Sequence, residues 1–107
     1  MTQLQPLENA IRDEFSCHYL PEELPPQWTE TFLSRDLPAK AEKSAKRLRH
    51  KLGTDQAQQL AALLREAANS STHSLVALVA DVTSIDWTEE QDWPVLQALL
   101  RSIADKI

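Results

Sequence analysis

Gly53 is the only glycine in this 107-residue chain. Hairpin turns, phosphate-binding loops and dinucleotide folds need glycine, either for a positive φ or to let backbone approach phosphate. One glycine cannot supply a hairpin-rich β fold or a nucleotide-binding α/β fold. The expectation is an all-α protein: a compact bundle of four to five short helices, one domain over residues 1–107. A chain of this length can bury roughly 65% of its unfolded surface in a single core.

The apolar spacing points the same way. Leu4, Leu7, Ile11 and Phe15 form a helical stripe, predicting a helix from about Pro6 to Cys17. Pro21, Pro25 and Pro26 make the next segment a stiff loop, readable as a spacer or as a Pro-rich recognition motif. Pro26 can open a short helix over 27–34 with Trp28, Phe32 and Leu33 inward. Asp36-Leu37-Pro38 then restarts the chain, with Asp36 as N-cap and Pro38 in the first turn, where its missing N–H would be unpaired anyway. Gly53 supplies the stop.

Thr54 caps a further helix to about Ala68, striped by Ala57, Leu60, Ala61, Leu64 and Ala68. Only Gly53 separates this helix from its predecessor, so the two should form a tight corner or an antiparallel pair. Leu75 to Val79 is ambiguous, because its branched residues suit a strand. A lone strand has no partner, so a short buried helix is expected, capped by Ser71 or Thr72. Asp92-Trp93-Pro94 begins the last helix, which carries Leu96, Leu99, Leu100 and Ile103.

Net charge is −5, and its distribution is uneven. Residues 1–34 hold six acids against Arg12 alone, and residues 35–51 hold seven Lys and Arg against Asp36 and Glu42. Residues 81–92 hold five acids and no Lys or Arg. An acidic total argues against a general nucleic-acid coat protein. Cys17 is the only cysteine, so neither an intrachain disulfide nor a cysteine-based zinc site can close. The N-terminal residues lack the basic start and apolar core of a signal peptide, and no apolar run nears the ~18 residues of a membrane span. The expectation is a soluble cytoplasmic protein.

On a helical wheel, Ala41, Ala45, Leu48 and Leu52 share an arc of roughly 60°, while Lys40, Lys43, Lys46, Arg47, His50 and Lys51 crowd roughly 140° opposite. Like charges three and four apart repel slightly, so the face invites an anionic counterpart. It can track a phosphate backbone, meet an acidic protein surface or rest on anionic lipid, although its Ala-rich apolar arc is too thin to insert. The plainer alternative is a solvated face that makes weak surface pairs.

The acids Asp81, Asp86, Glu89, Glu90 and Asp92 lack both the spacing and the glycine of a calcium loop, and read as a solvated patch or an acidic contact surface. That surface can also complement the basic helix of a second copy. Trp28 and Trp93 read as core residues. Trp87, set among acids with no stripe to bury it, reads as an exposed interface anchor.

His18, His50 and His73 lie far apart, no nucleophile motif is present, and no pair of acids can be positioned for catalysis. No metal, cofactor or catalytic residue is expected. The leading expectation is a non-catalytic binding protein acting on another protein, of inhibitor, immunity, antitoxin or adaptor type. Its partner-binding residues would be Lys40, Lys43, Lys46, Arg47, His50, Lys51, Asp86, Trp87, Glu89 and Glu90. The alternative is a nucleic-acid-binding regulator using the basic helix 38–52.

Overall fold

The computed structural model describes residues 4–107, with the Leu4 side chain outside the described part. It contains four α-helices and, among the described residues, no strand. Helix α1 (Leu4–His18) presents Leu7, Ile11 and Phe15 to the core, as their spacing predicts. A 3₁₀ turn at Pro21–Glu23 comes next, and irregular chain leads to helical backbone from residue 30.

The expected restart at Asp36-Leu37-Pro38 does not occur. Asp36 is itself helical (φ −76°, ψ −38°) and makes no side-chain cap bond. The backbone instead passes through a π-helical turn, Phe32–Asp36, directly into α2 (Leu37–Ala68), with the Leu37 N–H donating to the Phe32 carbonyl. The π turn widens the helix where the pyrrolidine ring of Pro38 would otherwise meet the carbonyl four residues earlier. Proline is thus absorbed rather than used as a start. The short helix expected over 27–34 becomes the leading end of this longer one, with Phe32 buried as expected but Leu33 exposed, because Leu33 turns away from the core on the helix surface.

Gly53 bends α2 sharply, with φ 81° and ψ 172°, into arms 37–52 and 54–68. A straight helix of its 32 residues would run about 48 Å. The molecule is only 40 Å in its longest dimension, so the bend is needed for compactness. The radius of gyration, 12.8 Å, agrees with the roughly 13 Å of a compact chain this long.

The ambiguous segment is helical. Helix α3 (Ser74–Thr83) buries Leu75, Val76 and Val79. Its cap is His73 rather than Ser71 or Thr72, through Nδ1 accepting the Leu75 N–H at 3.1 Å. Ser84, in the left-handed region (φ 59°), ends it. Helix α4 (Trp93–Lys106) begins where expected, but the Asp92 side chain gives no cap bond. It accepts the Trp28 indole N–H at 2.7 Å instead.

Helices α2 and α4 form the most extensive helix pair. They are tied at the surface by Arg65 to Asp105 (3.2 Å), Gln97 to the Ala68 carbonyl (2.8 Å) and Arg101 to Asn69 (3.0 Å). Helix α1 packs on α2 and α3, closing a core that includes Phe15, Leu48, Leu64, Leu75, Leu96 and Ile103. No helix is long and apolar enough to cross a membrane among the described residues.

Candidate partner-binding site

The six basic residues share a helix face, but α1 lies against part of it. Contacts pair Lys40 with residue 18, Arg47 with residue 14 and Lys51 with residue 13, so α1 runs antiparallel to the arm 37–52. Glu14 is the centre of this contact. Its side chain is only 5% exposed, and its carboxylate accepts from Arg47 Nη2 at 2.6 Å and Nε at 3.0 Å. Ser44, fully buried, donates to Glu14 Oε2 at 2.6 Å.

That bond uses the only proton of the Ser44 hydroxyl. The 2.7 Å bond between Tyr19 Oη and Ser44 Oγ must therefore be donated by the tyrosine. The relay runs from Tyr19 through Ser44 to Glu14, and Arg47 neutralises its end. Burial, with the Glu14 charge nearby, pushes the Tyr19 hydroxyl up to about 12. The Glu14 hydrogen bond holds the Arg47 guanidinium above its ordinary value. No buried side-chain polar atom among the described residues lacks a partner.

Lys40 donates to the His18 carbonyl at 3.1 Å and sits 5.1 Å above the Tyr19 ring, closing the other end of the contact. Lys51 pairs with Asp13 at 3.1 Å across exposed surface. Three of the six basic residues, Lys40, Arg47 and Lys51, are thus held by α1. Lys43, Lys46 and His50 are exposed, and Lys46 approaches Glu42 at 3.8 Å. Lys43, Lys46, Arg47 and His50 take the i, i+3, i+4, i+7 spacing of one helix face. Arg49, also exposed, adds charge beside this strip.

Between α1 and this strip lies a groove of about 440 Å³, within the roughly 300–1,000 Å³ of ligand-sized pockets. Asp13, Glu14 and Cys17 line it on α1, and Lys46, Arg47 and His50 on α2. Its floor is the fixed Glu14–Arg47 contact and Leu48, and its α2 rim is cationic. A second groove, about 600 Å³, lies between Trp28, Leu33 and Pro94. The Trp28 indole N–H there is already taken by Asp92.

The acidic residues form a separate feature. Asp86 Oδ1 accepts from both the Thr88 N–H (3.0 Å) and the Thr88 hydroxyl (2.6 Å), which holds its carboxyl below the usual range. Asp86, Glu89 and Glu90 are all exposed.

Trp87 is not. It is 1% exposed, and the expectation of a surface anchor is corrected. The chain reversal after Ser84 returns the indole onto the last turn of α3, where it donates to Thr83 Oγ1 at 3.0 Å and stacks on Trp28 at 5.7 Å. Trp28 and Trp93, expected in the core, are half-buried and pack against its edge.

Glu14 and Ser44 were not among the residues singled out in the sequence. Glu14 does carry a signal: seven residues after Leu7, it falls within about 20° of it on the buried stripe of α1. Ser44 adjoins the Ala41–Ala45 arc, but its partners lie 25 and 30 residues away in sequence. Comparison with protein-family models, curated proteins and solved structures finds no match.

Proposed function

We propose that this chain is a non-catalytic binding protein that docks an acidic surface of another protein on the groove between α1 and the arm 37–52. A domain of this size and charge suits an inhibitor, immunity, antitoxin or adaptor role. One observation carries the reading: the polar groups of the groove floor are satisfied by one another, while Lys46 and His50 on its α2 side, and Lys43 a turn away on the same helix face, are exposed. A rigid floor beneath a cationic rim favours charge-selective docking, which governs association rate and specificity more than affinity.

The nucleic-acid alternative is less favoured. Asp13 and Glu14 compensate two of the cations that a phosphate backbone would need, and they place carboxylates beside the others.

Capture from a native lysate, with and without nuclease, tests both readings. A protein retained after nuclease treatment and lost from the double variant Lys43→Glu/Lys46→Glu would support protein docking. Binding to duplex DNA with a log–log salt slope of about −3.6, as expected for four phosphate contacts, would replace it with the alternative.

A further inference from the structure

The basic groove and the acidic turn lie toward opposite ends of the arm 37–52. Trp87 stacks on Trp28, and Trp28 packs on Phe32 with ring centroids 5.4 Å apart, which fixes the acidic turn near the start of this helix. The groove is lined by Leu48 and its neighbours. The backbone is helical without a break from Phe32 to Leu48, about 24 Å of helix. The basic strip starts at Lys43, about 16 Å of helix from Phe32, or about two Debye lengths of roughly 8 Å, so salt screens most of the attraction between the two patches within one molecule.

We propose that the groove takes the acidic turn of a second copy of this chain, in an antiparallel two-fold dimer. This rests on reading the basic face as a protein-docking site and names its occupant. Turning one copy end for end sets Asp86, Glu89 and Glu90 of each against Lys43, Lys46 and His50 of the other. The two contacts are equivalent, and the assembly closes at two copies rather than growing into a fibre.

Both surfaces are preorganised, which lowers the ordering cost of docking. Burial of Trp87 pins the acidic turn, and the Asp86–Thr88 bonds fix its form. The Glu14–Ser44–Tyr19 relay fixes the groove floor. The net charge of −5 on each copy opposes association. That repulsion is spread over the whole surface of each copy, whereas groove and turn would meet at roughly 4 Å, where the attraction is strongest. Exposed ion pairs are individually weak, so the dimer belongs to high protein concentration and low salt.

Sedimentation of the full chain over a concentration series at low salt tests this. The expected result is a mass rising from 12.1 kDa toward twice that value, with the rise suppressed at high salt. The variants Lys43→Glu/Lys46→Glu and Glu89→Lys/Glu90→Lys should each remain monomeric, because each sets like charges together. Their equimolar mixture should dimerise again, because both contacts become attractive. All four side chains are exposed, and circular dichroism would verify the fold of each variant. Should a reversal fail to fold, the Gln substitutions at the same positions should still weaken the dimer at least tenfold.

A wild-type chain that stays monomeric at every concentration overturns the proposal. So does a dimer that both reversals leave intact, or a mixture that fails to restore it. A monomer would leave the docking of a different protein standing, because lysate capture tests that separately.

Discussion

The indole N–H of Trp87 donates to Thr83 Oγ1 at 3.0 Å, and that hydroxyl in turn donates to the Val79 carbonyl at 2.7 Å. The largest buried side chain is thereby satisfied by the last turn of α3, one helical turn earlier in the chain. Buried tryptophan normally needs such a partner for its N–H. The relationship makes the acidic turn an extension of the core rather than a free loop.

Trp87→Ala should therefore cost about 3–5 kcal/mol of folding stability, through lost burial and a cavity. Trp87→Phe keeps most of the apolar area and loses the bond to Thr83, so about 1–2 kcal/mol is expected. Chemical denaturation of both variants gives the comparison. A loss below about 1 kcal/mol for the alanine variant would contradict the burial.

Tyr19 predicts an alkaline transition. Its folded pKa, raised to about 12 chiefly by burial, lies above the ordinary value of 10.0. The protonated hydroxyl is thus favoured in the folded state. Its contribution is complete below pH 10 and is lost as pH rises toward 12. Two units correspond to roughly 3 kcal/mol, an upper figure if the protein unfolds first. Tyr19 is the only tyrosine, so tyrosinate absorbance reports it directly. Titration near pH 10 in the folded protein would contradict the burial of this hydroxyl.

Removing one end of the ion pair should expose the other. Arg47→Ala leaves the Glu14 carboxylate buried with only Ser44 to satisfy it. Complete burial of an unpaired charge costs about 3–5 kcal/mol. The Arg47 side chain is 41% exposed and water can enter in its place, so about 2 kcal/mol is expected. Glu14→Gln combined with Arg47→Ala should cost less than the sum of the two by about 1 kcal/mol or more. Additive effects in that cycle would show that the pair is not coupled.

Gly53→Ala tests the bend. The backbone there (φ 81°, ψ 172°) lies in a region essentially reserved for glycine. A methyl group would meet nothing within 4 Å, so the penalty is backbone strain alone. A loss of about 1–3 kcal/mol is expected, measured by denaturation. A gain in stability would mean that α2 tolerates a different bend.

Local signals made the fold legible. The apolar stripes of α1, of the arm 54–68 and of α4 depend only on residues within a few turns, and the lone glycine falls at the one sharp bend in α2. Signals whose outcome depends on a distant neighbour misled. Asp36-Leu37-Pro38 has the grammar of a helix start, yet a π turn absorbed the proline inside a continuous helix. The similar Asp92-Trp93-Pro94 does start one. The two share Asp and Pro at the same spacing, and the structure that precedes them differs: helical backbone before Asp36 and a turn before Asp92.

The candidate site divides along the same line. The sequence by itself determined that Lys40, Lys43, Lys46, Arg47, His50 and Lys51 share a face, because helical periodicity is a local property of the backbone. Only the tertiary structure decided that Lys40, Arg47 and Lys51 are taken up by α1, leaving Lys43, Lys46 and His50 outward. It likewise decided that Trp87, among acids in the chain, lies beneath Trp28 in the core. The reason is that pairing and burial are set by which elements meet across the fold. Those meetings join residues about 20 to 60 positions apart, beyond the reach of any periodic pattern.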